Sequence, residues 1–369
     1  MLITYKKIKK LIVLFRQEGT FGKKIVKALA FAFCLNLVFG FLFYLTEKAA
    51  QPELTISDSI WWAMVTMTTV GYGDYSATTP IGRFVISYVC MILGIGIIGY
   101  LIGFIAEHIL QTISKARRGL MRIFEEEHIV ICNYPGENKM SEIIEEIRTI
   151  EEHKQGAIVI VTDKLEELPE RFQQSDILFL KGNPADEDDL IKANVVKSAG
   201  VIVLADESQP NMADERSFTI GTLIELLGKK HGVSIKTVVE VVNRKNFKLI
   251  HRSNVDGMIS DDGITSRLLV QEFLNPGIYA ILQQLLSNNL GSQFHIVPTG
   301  LAGHKLVDLQ KAVIEHPITV QIVGVFHRGE IVLNPPKTLT IEENDRLILL
   351  AEREGDFEEI ERIMLDRIV

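Results

Sequence analysis

Two stretches of the chain carry no charge: residues 28–46, ALAFAFCLNLVFGFLFYLT, and residues 84–106, FVISYVCMILGIGIIGYLIGFIA. Apolar residues occupy every helical face of both, the pattern of a helix with an apolar medium all round it. At about 1.5 Å of rise per residue, either run crosses a hydrocarbon core of roughly 30 Å. Two buried core helices, or a secretory signal for the first run, are the alternatives. The first run is too long for a typical signal core, however, and a second run follows it. Between them, SDSIWWAMVTMTT (57–69) has helical character, with Ser57 as expected N-cap and Trp61 and Trp62 as large anchors. A short helix here re-enters the membrane and delivers TTVGYGD to membrane depth. Irregular backbone is tolerated there only if protein buries it or it lines a watery cavity.

From about His128 the pattern changes. HIVICN, AIVIVTD, DILFLKG, GVIVLAD and TVVEVV are short β-branched runs, separated by helix-like stretches such as KMSEIIEEIRTI and ERSFTIGTLIELLG. Alternating strands and helices predict a doubly wound parallel sheet, a Rossmann-like α/β lobe. A helical connector follows near Gly263 to Asn289, then a small α+β lobe with hairpin turns expected at Arg328-Gly329 and Pro335-Pro336. The predicted organisation is a membrane α-helical domain over 1–119, the α/β lobe over 120–260, a helical crossover over 261–292 and the C-terminal lobe over 293–369.

Charge sharpens this division. Residues 1–119 carry 13 Lys and Arg against 6 Asp and Glu, and residues 120–369 carry 26 against 41. Basic residues flank the spanning runs at 6–27 and 115–122, whereas only Lys48 and Arg83 lie between them. The bias predicts a multi-pass protein of the cell membrane with both termini cytoplasmic and the intervening loop outside. YKKIKKLIVLF (5–15) reads as an interfacial helix on anionic lipid. No run bears arginine at every third position, so no dedicated voltage sensor is expected. The acidic second half argues against nucleic acid as a partner. Cys34, Cys90 and Cys132 follow no ligand or disulfide spacing and read as buried hydrophobes. No nucleophile–base–orienter set is present, and the chain is not expected to be an enzyme.

Thr69, Val70, Gly71, Tyr72 and Gly73 spell TVGYG, the filter signature of potassium channels. The resemblance implies that backbone carbonyls and the Thr69 hydroxyl replace the hydration shell of K+, and that four chains close the ring. Asp74 and Trp61 match the family's aspartate and tryptophan that brace the filter, while Val65 stands where some relatives carry a carboxylate. Gly94, Gly96, Gly99 and Gly103 punctuate the second run; they permit close helix packing, and LGIG resembles the gating hinge, placed at Gly94. Glu107 reads either as an acidic ring at the inner mouth or as a solvated helix end.

The second half, roughly 120–369, resembles the RCK domain that regulates potassium conductance, most recognisably in GNPADEDDLIKANVVKSAGVIVLAD (182–206). One such domain after the pore is similar to the calcium-gated two-helix channels of prokaryotes. Eight RCK domains form the ring in that family, so a homotetramer needs extra RCK copies, with Met121 as a conceivable internal start, or another ring geometry. Two sensor readings stand side by side. Asp206, Glu207, Asp214, Glu215 and Glu240 lie near converging strand ends and offer oxygen ligands for Ca2+ or another divalent cation. Of the family's two fifth-strand acids, Glu240 matches one and Val242 replaces the other; Asp206 is displaced by about two positions. A nucleotide is the second reading, with Asp163 placed for a ribose. CNYPGEN lacks the GxGxxG turn, which disfavours NAD and, with the filter, a membrane-anchored oxidoreductase.

Overall fold

The computed structural model describes residues 19–150, 152–174, 176–206, 212–287 and 291–366. The expected interfacial helix at 5–15 lies outside the described residues. The chain divides into two compact units, one ending at Ala116 and the other beginning at Arg117.

In the first unit, α1 (Gly19–Glu47) and α3 (Tyr88–Arg117) are the long apolar helices, and α2 (Ile56–Met67) is the short one between them. A six-residue π-helical turn, Gly82–Ser87, leads into α3, with Ser87 Oγ donating to Gly82 O at 2.7 Å. Both long helices are apolar enough to span a membrane, and most of their apolar side chains, among them Phe31, Phe41, Ile95 and Ile102, are exposed on the single chain. Core helices of a soluble domain would bury them. α1 grips α2 through Gly40, where a Cβ would come within 2.8 Å of Ile60 Cα, and through the Phe43–Trp62 stack, with ring centroids 3.7 Å apart.

In the second unit, β1 (Ile129–Cys132), β2 (Ile158–Thr162), β3 (Ile177–Lys181), β4 (Gly200–Val203), β5 (Thr237–Glu240) and β6 (Gly257–Ile259) form one parallel sheet in the order 3-2-1-4-5-6. β1 and β2 are buried along their whole length, so their sequences show continuous apolar runs instead of alternation. α4 (Glu137–Thr149), α5 (Glu187–Lys192) and α6 (Ala213–His231) are the main crossovers. The winding reverses between β1 and β4, and the crevice at their carboxyl ends is where such sheets take ligands.

α7 (Ile264–Leu274) and α8 (Ile278–Leu286) connect to an antiparallel sheet of β7 (Gln293–Pro298), β8 (Val320–His327), β9 (Glu330–Leu333) and β10 (Arg346–Ala351), ordered 7-10-8-9. α9 (Leu306–Glu315) and α10 (Glu358–Asp366) accompany it. Arg328 and Gly329 both have positive φ, 51° and 85°, and close the β8–β9 hairpin with a two-residue turn of the primed kind. The hairpin expected at Pro335-Pro336 does not form. β10 pairs with β8 and β7 instead of β9, and the intervening chain contributes only the isolated bridge Lys305–Thr340. Of the cysteines, Cys90 and Cys132 are buried, but Cys34 is exposed on α1.

Candidate functional site

The pore segment grows out of the C-terminal end of α2. That helix starts at a capping box: Thr55 Oγ1 accepts from Asp58 N at 3.2 Å, and Asp58 Oδ2 accepts from Thr55 N at 3.0 Å. Thr55, not Ser57, is therefore the cap, because Thr55 has a reciprocal acid three residues on. At the other end the amides fold back on the helix. Thr68 N donates to Met64 O at 3.0 Å and Thr69 N to Thr66 O at 3.1 Å; Val70 N and Gly71 N both donate to Val65 O, at 3.0 and 3.3 Å. Thr69, Gly71 and Gly73 have φ of 62°, 58° and 78°, whereas Val70 and Tyr72 between them do not have positive φ. Alternating backbone hand turns successive peptide groups the same way, gathering carbonyl oxygens on one side of the strand while its amides face the other. The negative end of the α2 dipole lies at the root of this strand and favours positive charge.

The strand is braced from behind. Trp61 Nε1 donates to Asp74 Oδ2 at 2.8 Å, and the Trp61 and Tyr72 rings stack with centroids 5.9 Å apart. Val65 is buried and holds the strand through its carbonyl. A residue that the sequence reading overlooked fixes the loop beyond the strand. Glu47, fully buried, accepts from Thr78 N at 2.8 Å, Thr78 Oγ1 at 2.5 Å, Thr79 N at 3.0 Å, Thr79 Oγ1 at 2.6 Å and Gln51 Nε2 at 3.1 Å. Gly82 leaves it room, since a Cβ there would overlap the Glu47 carboxylate. A glutamate at the end of an apolar run beside a Thr-Thr pair is the signal that points to it.

Gly94 lies in an unbroken stretch of α3, pressed against α2: a Cβ there would stand 2.5 Å from Met67 O and 2.6 Å from Met67 Cα. Close approach explains this glycine, whereas Gly96, Gly99 and Gly103 face open space on the single chain. Glu107 is exposed and accepts from Gln111 Nε2 at 3.0 Å.

The second cluster lies at the switch-point crevice. Asp206, 3% exposed, follows β4 and pairs with Lys164, which follows β2. Glu240, the last residue of β5, accepts from Lys139 Nζ of α4 at 2.6 Å and from Ala205 N at 2.9 Å, so the two carboxyl groups belong to adjoining segments. Asp214 does different work. Its carboxylate accepts from Val242 N at 2.7 Å, Asn243 N at 3.1 Å and Asn246 Nδ2 at 2.7 Å, which makes it a clamp for the loop after β5. Glu215 is exposed, and Glu207 lies outside the described residues. Among the described residues, this crevice does not bring three carboxylates within ligand distance of one another.

Asp163 pairs with Arg216 Nη2 at 3.3 Å; the same guanidinium donates to Asn133 Oδ1 at 3.2 Å and Asn183 Oδ1 at 3.0 Å. Asn133 has φ of 72° and donates from Nδ2 to Leu204 O at 2.7 Å, lashing the β1 end to the β4 end where a dinucleotide turn would carry glycine. Cys132 sits beneath it, its thiol pushed up to about 12 by burial and therefore inert as a nucleophile.

Comparison with known proteins gives the two halves their kinship. Residues 10–111 match the ion channel family, residues 124–244 the slowpoke-like RCK domain of calcium-activated potassium channels, and residues 262–365 the Castor and Pollux family, part of voltage-gated ion channel. The chain is an ion channel with an RCK domain. Over 334 residues the channel is 28% identical to the calcium-gated potassium channel TvoK of Thermoplasma volcanium, an alignment covering 89% of this chain and 92% of that one. It is 24% identical over 328 residues to the putative potassium channel protein YugO of Bacillus subtilis, covering 86% and 93%. Among solved structures, the GsuK channel bound to NAD aligns with a TM-score of 0.46 at 16% identity, over 92% of this chain and 60% of that one.

Proposed function

We propose that this channel conducts K+ selectively and opens when a divalent cation, Ca2+ foremost, binds its cytoplasmic RCK half. The alternating φ of Thr69, Gly71 and Gly73 carries the reading: it supports a row of carbonyls, with the amides of Thr69, Val70 and Gly71 already satisfied by α2. Such oxygens replace a hydration shell without moving when the ion arrives. One strand is a single wall, so the assembly is a homotetramer around a shared axis. The basic flanks support a cell-membrane orientation with both termini in the cytoplasm and the Glu47–Arg83 loop outside. The relatives it matches are named as channels, and no catalytic step is assigned to it.

Gating is a difference in affinity. A cation that favours one state of the RCK ring shifts the pore, and one that binds both states equally does nothing, however tightly it binds. Asp206 and Glu240 are the proposed ligands, with Asp214 holding the loop; Glu215 and Glu207 are further candidate donors on the sequence alone. The adjoining basic groups favour a second ligand class. Lys139 and Arg216 stand beside the start of α4, where Gly136 supplies no side-chain cap, and that combination suits a nucleotide phosphate.

The test is single-channel recording in planar bilayers with calcium titrated on the RCK side. Open probability rises with calcium in the unmodified channel, and Glu240→Gln moves the midpoint at least tenfold higher. A potassium-selective current indifferent to calcium rejects the divalent sensor and leaves the pore assignment standing.

A further inference from the structure

The two proposed sensor carboxylates do not face open solvent. Each is held by a lysine from a different element: Asp206 by Lys164 beyond β2, and Glu240 by Lys139 of α4. Both lysines are partly exposed, at 28% for Lys164 and 34% for Lys139, so each keeps part of its side chain in contact with water. Both carboxylates are well covered, at 3% and 23%. Because Ala205 N donates to Glu240, the two acids occupy adjoining positions over the ends of β4 and β5, and the two ammonium groups sit on the same pair.

We infer that Lys139 and Lys164 are tethered counter-cations that lock this crevice and set the concentration of divalent cation needed to occupy it. The inference rests on the proposed divalent sensing at Asp206 and Glu240. Two monovalent ammonium groups neutralise two carboxylates while keeping each in hydrogen-bonding geometry. A divalent ion supplies the same charge at one point and draws both carboxylates onto it, so the lysines must leave before the ion can enter. Competition of this kind lowers apparent affinity by the cost of breaking two partly buried ion pairs. It also excludes monovalent cations, which bring too little charge to displace two ammonium groups at once. The crevice therefore responds to a charge-dense ion, and its threshold is written in lysines outside the acidic set.

The lock explains a feature that the carboxylates alone do not. The described residues of the crevice gather no third carboxylate around Asp206 and Glu240, yet they devote two lysines to them. A pre-formed cation site would keep basic side chains away.

The experiment measures calcium activation of the full-length channel in bilayers for Lys139→Gln, Lys164→Gln and the double variant, with calcium binding to the same detergent-purified proteins followed by isothermal titration. Each single variant is expected to lower the activation midpoint about tenfold, the double variant more, and Lys139→Arg little. A calcium-silent unmodified channel beside a responsive double variant also supports the lock. A responsive unmodified channel whose midpoint is unchanged or raised in the lysine variants overturns the lock while leaving calcium sensing intact. If neither the unmodified nor the doubly substituted protein binds calcium, the sensing reading fails and the lock falls with it. Should Lys164→Gln fail to assemble because Asp206 is left buried without its counter-ion, Lys139→Gln decides the matter, since Glu240 keeps the Ala205 amide.

Discussion

Thr69 holds a left-handed backbone that costs a branched side chain about 1–2 kcal/mol, and the amide bonds at 69–71 to α2 hold it there. The strain belongs to the carbonyl row it creates. Bracing from behind is what keeps that row in place, and Trp61→Phe removes the N–H bonded to Asp74 while keeping an aromatic ring beside Tyr72. This variant is expected to shorten open bursts and lower the melting temperature of the assembled channel without changing which ion passes; burst durations equal to those of the unmodified channel would deny Asp74 its bracing role. His128 offers a residue-scale test in the second unit. It is fully buried, its Nε2 lies 3.0 Å from Ala193 O, and burial holds its pKa below the ordinary 6.5. The unfolded chain takes up a proton below about pH 6.5 that the folded one resists, so stability is present above that value and is lost as pH falls below it. Melting temperature measured from pH 8 to pH 5 should drop more steeply for the unmodified protein than for His128→Gln; parallel curves would assign the acid sensitivity to other groups.

At the level of elements, the sequence revealed what short-range pattern controls. Uncharged runs disclose α1 and α3, short β-branched runs disclose β1–β5 in order of appearance, and Arg328-Gly329 discloses the β8–β9 turn. Long-range partners were illegible: nothing local says that β10 returns to β8, that Glu47 reaches Thr78 and Thr79, or that lysines from two other elements cover Asp206 and Glu240. Gly94 shows the same limit, for a glycine in an apolar helix reads equally as a hinge or as a close contact, and only the structure shows that a Cβ there would stand 2.5 Å from Met67 O. Glu47→Ala strands the Thr78 and Thr79 donors and should lower the melting temperature of the assembled channel by several degrees. Glu47→Gln keeps the shape and part of the bonding and should fall between; equal melting of all three would show that the clamp contributes nothing. Gly119 is the corresponding element in the second unit. With φ of 67° and its carbonyl accepting from Lys181 N at 2.9 Å, it fastens the start of that unit to the end of β3, where a Cβ would stand 2.3 Å from Lys181 N. Gly119→Ala should therefore flatten the calcium response and leave ion selectivity unchanged, as read from open probability against calcium; an unaltered calcium curve would remove this attachment from the gating account.

The whole molecule pairs a basic, apolar first part with an acidic second part, and each folds as its own compact unit. Selectivity is assigned to the first and the decision to open to the second, with residues 114–119 as the covalent link between them. Removing the chain beyond about residue 120 should then abolish ligand dependence while any pores that assemble stay selective; persistence of calcium gating in such pores would place the sensor in the membrane half. Everything else in the account depends on what the Thr69–Gly73 strand passes. The most direct measurement is the reversal potential of the purified channel in a planar bilayer with potassium on one side and an equal concentration of sodium on the other. The structure predicts a potential displaced far toward the potassium equilibrium value, and collapsed toward zero in Gly71→Ala. A reversal potential near zero in the unmodified channel would contradict the account at its root.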